Sequence, residues 1–318
     1  MQKPFAVGID IGGTTTKFGI VTRDGKILEQ DRVPSNEHDV VEDFIESLYV
    51  KLAPMIERAG GFDHFVGIGM GAPNGNFYSG TIEYAPNLRW KGIIPIAHLM
   101  YKRFGLPTKL TNDANAAAMG EMIYGCAKHM KHFITITLGT GVGSGIVVDG
   151  KILLGHDGFA GELGHTIIRP GGRRHKSTGM LGSLEAYASA TGVRETAIEF
   201  LTKHPEEASL LRDYSINDLT SETVYNCALQ GDTIANEIFE FTGQILGESL
   251  ANFVMFSSPE AIVLFGGLTK AGNLLLNPTR KHMEENLLPI FKNKVRLVFS
   301  ELREADAAIL GASALIWD

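Results

Sequence analysis

The sequence predicts a layered α/β protein made of two similar domains, and three observations predict it. An apolar run over 5–9 meets Asp10 and then Gly12-Gly13-Thr14-Thr15-Thr16. An apolar pattern resumes at Phe18 and stops at Asp24-Gly25, which together reads as a β-hairpin with a glycine-threonine turn. The arrangement returns over 133–147, where the alternating run Phe133-Ile134-Thr135-Ile136-Thr137-Leu138 is followed by Gly139-Thr140-Gly141-Val142-Gly143-Ser144. Gly145-Ile146-Val147 then matches Gly19-Ile20-Val21, and Asp149-Gly150-Lys151-Ile152-Leu153 matches Asp24-Gly25-Lys26-Ile27-Leu28 with one residue deleted. Strand-like and helix-like periods alternate around both copies, the pattern of helices laid on a sheet. A duplicated strand, turn and strand implies two like domains facing each other, each offering a turn to one polyphosphate.

The turn chemistry suits an anion. Glycines let backbone N–H groups approach without a Cβ in the way, and threonine hydroxyls add neutral donors. An aspartate at the strand end repels phosphate unless a cation lies between, so Asp10 suggests Mg²⁺ held through water. A plain tight hairpin with solvent-facing threonines would look the same at the first copy alone; the second copy favours phosphate. Neither turn has the Gly-Lys-Ser/Thr ending of a P-loop, and neither opens a helix as a dinucleotide turn does, because a strand follows each.

In chain order, 27–32 reads as a third strand and 40–59 as an amphipathic helix, with Val41, Phe44, Ile45, Leu48, Leu52 and Ile56 at three-and-four spacing, ended by Gly60-Gly61. Residues 65–71 form a buried strand whose glycines mark a close approach of something else. A loop through Ala72-Pro73-Asn74-Gly75-Asn76 leads to a strand at 81–84 and then to Asn87-Leu88-Arg89-Trp90. A short helix over 95–104 and a short strand over 108–111 follow. That strand delivers Asn112-Asp113 to an alanine-rich helix, where either residue serves as the cap. Asp113 fits a cap, and it equally fits a general base at a strand end, where an α/β enzyme sets one to take the proton of an attacking hydroxyl.

Beyond the second hairpin, Gly158, Gly161 and Gly164 argue against a helix, so 155–165 reads as a loop crossing a site. Glu162 and His165 resemble half of a two-metal carboxylate site, but no second Glu-x-x-His occurs. A carboxylate beside an imidazole also suits adjacent sugar hydroxyls, and Glu185 could add a third contact or be only a first-turn acid of its helix. Helices are read over 192–203, 221–231 and 234–257, with a polar link over 205–218. A buried strand over 259–265 precedes Gly266-Gly267, a last strand spans 295–299, and an alanine-rich helix over 307–317 closes the chain.

Bulk properties agree with this outline. At 318 residues, 44% hydrophobic and 20% charged, the chain can bury two cores. A net charge of −7 speaks against nucleic acid as the main partner. Cys126 and Cys227 are the only cysteines, so no disulfide framework is argued and a reducing cytoplasm is expected. Met1-Gln2-Lys3-Pro4 runs into a strand without a leader's apolar region, and no apolar stretch reaches membrane length, so neither secretion nor membrane spanning is expected.

Asp10-Ile11-Gly12-Gly13-Thr14, Gly71-Ala72-Pro73, Asn87-Leu88 with Trp90, Asn112-Asp113-Ala114-Asn115, the turn from Leu138 to Gly145, Gly161-Glu162-Leu163-Gly164-His165 and Leu184-Glu185 occur in one order. That order resembles the ROK family (repressors, open reading frames, kinases) of the actin-like sugar kinase superfamily, and the resemblance spans nearly the whole chain. It implies two domains of ribonuclease H-like fold, as in actin-like ATPases, with a cleft between them closing on MgATP and a hexose. The small domain would comprise 1–116 plus 304–318 and the large domain 117–303. It further implies Asp113 as base and Asn87, Asn112, Glu162, His165 and Glu185 on the sugar. Asp10, Gly12, Gly13, Thr14, Thr15 and Lys17 with Gly139, Thr140 and Gly141 would hold the nucleotide's phosphates, and Gly266 and Gly267 its adenosine. Homodimers are usual.

One departure stands out. The family commonly has Cys-x-Cys-Gly-x-x-Gly-Cys before Leu-Glu, binding a structural zinc with the loop histidine; here the frame is Lys176-Ser177-Thr178-Gly179-Met180-Leu181-Gly182-Ser183. Lys, Thr and Ser do not replace thiolates, and His165 with His175 gives at most two ligands, so no structural zinc is expected. The resemblance thus leads to an ATP-dependent hexose kinase forming the 6-phosphate of glucose or a close relative. An N-acetylhexosamine or fructose kinase and a non-catalytic sugar sensor are the alternatives. The family's repressors carry a DNA-binding segment ahead of the first hairpin, where this sequence has about four residues, so a repressor is not expected.

Overall fold

The first apolar run forms β1 (Phe5–Ile11), and the chain turns at Gly12-Gly13-Thr14 into β2 (Thr15–Thr22) and then β3 (Ile27–Pro34). The computed structural model describes residues 3–317. The leader reading at Met1-Gln2 and the outer ends of the small domain at Met1, Gln2 and Asp318 lie outside the described residues. The second strand starts three positions before the Phe18 read from the sequence, because Thr16 is fully buried and its hydroxyl is satisfied by Ser35 Oγ at 2.7 Å. A polar residue so paired occupies a core position that an apolar count passes over.

Helix α1 (Val41–Arg58) buries the stripe Val41, Phe44, Ile45, Leu48, Leu52 and Ile56. β4 (Phe65–Ala72) follows, then the minor strands β5 (Gly75–Asn76), β6 (Thr81–Glu83) and β7 (Ile93–Ile94), which form a small sheet of their own. Helix α2 (Ile96–Phe104) leads to β8 (Thr108–Asn112) and directly into α3 (Asp113–Ile123). The main sheet runs β3-β2-β1-β4-β8, with β4 parallel to β1 and β8 parallel to β4.

The second series begins with β9 (Phe133–Leu138), β10 (Val142–Val148) and β11 (Lys151–Ile152). A one-turn α4 (Glu185–Ala188) abuts α5 (Ala190–Lys203), which starts two residues before Gly192 because Ser189 Oγ accepts from the Gly192 N–H as N-cap. Then come α6 (Ser221–Leu229), the long α7 (Thr233–Ser257), β12 (Ala261–Phe265), α8 (Asn273–Glu285) and β13 (Arg296–Phe299). Its sheet runs β11-β10-β9-β12-β13, the same third-second-first-fourth-fifth order as the first. The closing helix α9 (Glu304–Ala314) begins and ends three residues before the range read from the alanines.

Contacts divide the chain into two compact units: Met1–Lys131, Gly145–Gly161 and Ser300–Asp318 in one, His132–Ser144 and Glu162–Phe299 in the other. In the first, α9 lies directly on the sheet. A Cβ at Gly8 would strike the Ile309 carbonyl oxygen and one at Gly69 that of Ala312, while Gly120 of α3 meets Gly311 of α9. The one at Gly69 is the close approach that the glycines of 65–71 foretold.

Candidate functional site

In the first unit, the strand ends of β1 and β8 and the start of α3 bring two carboxylates together. Asp10 is opposite Lys17 on β2 and Gly71 on β4. A Cβ on Gly71 would sit 3.9 Å from Asp10 Oδ1 and 3.5 Å from the Asp113 Cα, so this strand position stands beside both acids. Burial pushes the Asp10 carboxyl up to about 6, repulsion from Asp113 adds to this, and Lys17 opposes it. Burial also raises the Asp113 carboxyl, with the Ala114 N–H opposing. Asp113 nevertheless reaches solvent: protein is dense around it, but water touches the side chain, which tempers the rise.

Asn112, not Asp113, is the N-cap of α3, its side chain accepting from Ala114 N at 2.8 Å. Asp113 is the first helical residue. Its Oδ1 also accepts from Ala114 N at 2.8 Å, and the backbone N–H of Asp113 itself also favours the charged carboxylate. The turn at Gly12-Gly13 is tied to the Asn87 loop, since a Cβ at Gly13 would lie 2.9 Å from the Asn87 carbonyl oxygen. Asn87 is exposed between buried Ala85 and Leu88, and buried Trp90 anchors the loop by donating from Nε1 to the His38 carbonyl at 3.0 Å. Thr14 and Lys17 are exposed, with Gly12, Gly13 and Thr15 half-buried. Asp10, Gly13, Asn87, Asn112 and Asp113 thus share one neighbourhood.

In the second unit, the turn Gly139-Thr140-Gly141 is braced from the α4–α5 corner. Ala190 N donates to the Gly139 carbonyl at 2.8 Å, and Thr191 Oγ1 to the Thr140 carbonyl at 3.0 Å. Glu185 Oε2 accepts from Val142 N at 2.7 Å, and a Cβ on Gly141 would collide with that carboxylate. Gly139 faces open space. Gly266 stands at φ 106°, a conformation that favours glycine, and a Cβ there would be 2.7 Å from the Leu138 carbonyl oxygen. The double glycine therefore abuts the end of β9, with Gly267 exposed. His165 Nε2 is 3.7 Å from Glu162 Oε2, and the two side chains are 33% and 52% exposed, open enough to meet a ligand.

Sequence reading considered His175 only as a metal ligand and passed over Arg173 and Tyr187. His175 Nε2 lies 3.0 Å from Glu185 Oε1 and its Nδ1 is 2.9 Å from Thr178 Oγ1. Glu185 is thereby held on both oxygens, by His175 and by the Val142 N–H. The only sequence signal was the cationic Arg173-Arg174-His175-Lys176 stretch next to the altered cysteine frame.

The donor set does not fit zinc. Lys176 Nζ pairs with Glu195 at 2.7 Å, Thr178 is bonded to His175, and Ser183 is a neutral hydroxyl. His165 Nδ1 and Ser183 Oγ are buried without a hydrogen-bond partner, but one imidazole and one hydroxyl do not make a tetrahedral thiolate site. Among the described residues no three metal-binding side chains converge.

Comparison with known proteins adds the context. The model of the ROK family matches residues 6–318. A glucokinase from Halalkalibacterium halodurans is 35% identical over 322 residues, 99% of this chain and 96% of that protein. A glucokinase from Thermotoga maritima is 32% identical over 317 residues, 99% and 98% of the respective chains. Among solved structures, a ROK family glucokinase from Streptomyces griseus in complex with glucose and AMPPNP superposes with a TM-score of 0.80 at 31% identity, covering 98% of each chain.

Proposed function

The chain belongs to the ROK family, and from that premise we propose that it is an ATP-dependent kinase transferring the γ-phosphate of MgATP to the 6-hydroxyl of glucose. Its support is the agreement between full-length glucokinase relatives and the Asp113 carboxylate, which is exposed at the start of α3 and acts electrostatically on Asp10.

In this reading Asp113 accepts the proton of the sugar hydroxyl as that oxygen attacks the γ-phosphate in line. Asn87, Asn112, Glu162, His165 and Glu185 bind the other hydroxyls; exposed Glu162 and His165 supply an acceptor beside a donor, and Glu185 is pre-oriented by its two partners. Backbone N–H groups of Gly13, Thr14 and Thr15, and of Thr140 and Gly141, orient the phosphates with Lys17, while Gly12 and Gly139 shape the two turns by donating to the Thr15 and Gly141 carbonyls. Gly266 and Gly267 take the adenosine. Two carboxylates, with only Lys17 opposing their charge at Asp10, form a donor set that fits a divalent cation, so Asp10 would hold Mg²⁺ through water. When bound, that ion supplies charge neutralisation at the phosphates. A cytoplasmic homodimer without nucleic acid or membrane partners belongs to the same proposal. Its cytoplasmic part fits the cysteines Cys126 and Cys227, which form no disulfide, and its lack of a nucleic-acid partner fits the −7 net charge. Among the described residues no helix is long and apolar enough to cross a membrane, and the homodimer rests on the family resemblance alone.

The test is ADP release by the purified chain with and without glucose, alongside Asp113→Ala. The variant should bind glucose nearly as well as the wild type while turnover falls by roughly 10³-fold. Turnover within about tenfold of wild type would remove Asp113 as base. A wild-type chain releasing no ADP on glucose would end the reading altogether.

A further inference from the structure

The loop that carries His175 has lost the family's thiols, yet it is not loose. It closes on itself through bridges pairing Ile167 with Ser183 and Arg174 with Leu181, and His175 N donates to the Met180 carbonyl at 2.8 Å. Besides Lys176 on Glu195 and Arg169 on Glu248, the loop is tied to the rest of the unit by Arg173, whose side chain is only 10% exposed. Its guanidinium donates from Nε and Nη2 to the two Glu199 oxygens, each at 2.8 Å, a bidentate fork. Nη1 donates to the carbonyls of Ala186 at 2.8 Å and Gly192 at 3.0 Å, and Nη2 also reaches Thr196 Oγ1 at 3.0 Å. The same group lies 4.6 Å from the centre of the Tyr187 ring, and the Arg173 N–H donates to the Tyr187 hydroxyl at 2.6 Å.

We propose that Arg173 is a positioning residue that does without metal what the family's zinc does: it clamps the loop to the α4–α5 corner so that His175 holds Glu185. The corner it grips also donates to the Gly139 and Thr140 carbonyls, so one cation braces both the loop and the second glycine turn. Thr178, standing at a former thiol position, completes the arrangement. Its hydroxyl accepts from Met180 N at 3.3 Å and lies 2.9 Å from His175 Nδ1; with the ring protonated on Nε2, the hydroxyl donates to Nδ1 and Nε2–H donates to Glu185. Lysine cannot substitute for Arg173, because an ammonium presents a point charge where a planar fork meets two carboxylate oxygens and two carbonyls.

The proposal rests on the reading of Glu162, His165 and Glu185 as sugar ligands, and its test separates the two. In the full-length protein, Arg173→Lys should raise the glucose Kd by titration calorimetry, and the glucose KM, by about tenfold, with the KM for ATP within about twofold. Backbone hydrogen exchange over 167–183 should quicken in the variant. Wild-type protein should keep its glucose affinity and its melting temperature after EDTA treatment. A role confined to general stability would lower the melting temperature and leave the glucose Kd alone, and that result overturns the proposal. So does loss of affinity on EDTA with about one zinc per chain in the untreated protein. If Arg173→Lys does not fold, Glu199→Gln, which weakens the fork and leaves the cation, carries the same readings. If the wild type binds no glucose, the sugar reading has failed, and the exchange and EDTA measurements alone decide the brace.

Discussion

At the scale of single residues, the informative pair is Asp10 and Asp113. Asp10 is raised from its ordinary 3.8 to about 6 by burial and by its neighbour's charge. Between those values the folded chain holds a proton that the unfolded chain does not, so in Mg²⁺-free buffer stability should fall as pH rises from about 4 to about 6, with the full cost present above. Asp10→Asn removes that cost. Urea unfolding should show the variant more stable than wild type at pH 8 by on the order of 2 kcal/mol, after allowing for solvent near the site, and nearly equal to it at pH 4. A variant less stable at pH 8 would mean that the Asp10 charge is paired in the free protein. Both acids could be picked out from the sequence as candidates, Asp10 because it ends a strand before a glycine turn and Asp113 because it stands where a strand enters a helix, although a cap fitted the second equally well. The roles of Asn112 as cap and of His175 against Glu185 could not, since one is a choice between adjacent residues and the other joins positions through a folded loop.

At the scale of elements, glycines decide where helices touch. Placing a Cβ at Gly69 would drive it into the Ala312 carbonyl, so Gly69→Ala must push α9 off the sheet. It should cost about 3 kcal/mol in chemical denaturation, the upper range for overpacking a tight interface. A cost under about 0.5 kcal/mol would show that α9 shifts freely. The sequence announced the close approach at 65–71 but not its partner, which arrives from the far end of the chain. Helix α8 went unread for a related reason. Its buried face sets Leu275, Pro278, Thr279 and Met283 at helical spacing, but Pro278 inside the run reads locally as a helix breaker, and the face packs on Gly243 and Gly247 of α7. A Cβ at Gly243 would be 2.6 Å from Pro278 Cγ, which is why two small residues in a long helix mark its neighbour.

At the scale of the whole molecule, the proposed homodimer has its own check. Large apolar side chains of the second unit stand in solvent, among them Phe256 at 80% and Ile290 at 62% exposure, and a symmetric partner would cover such groups. Sedimentation of the chain at about 10 µM should give twice the monomer mass, and a monomer at that concentration removes the dimer from the proposal. The sequence by itself determined that the fold is duplicated, because the strand, glycine turn and strand recur with matching residues and both periods are local. It also determined the residue types that the proposed reading gives to phosphate and sugar, since each motif is contiguous. Only the tertiary structure decided that both sheets share one strand order, that the last helix seats on the first sheet, and that an arginine fork holds the loop whose thiols are gone. Strand pairing, close packing and convergent hydrogen bonds join residues distant in the chain, and no local pattern records which partners burial will bring together.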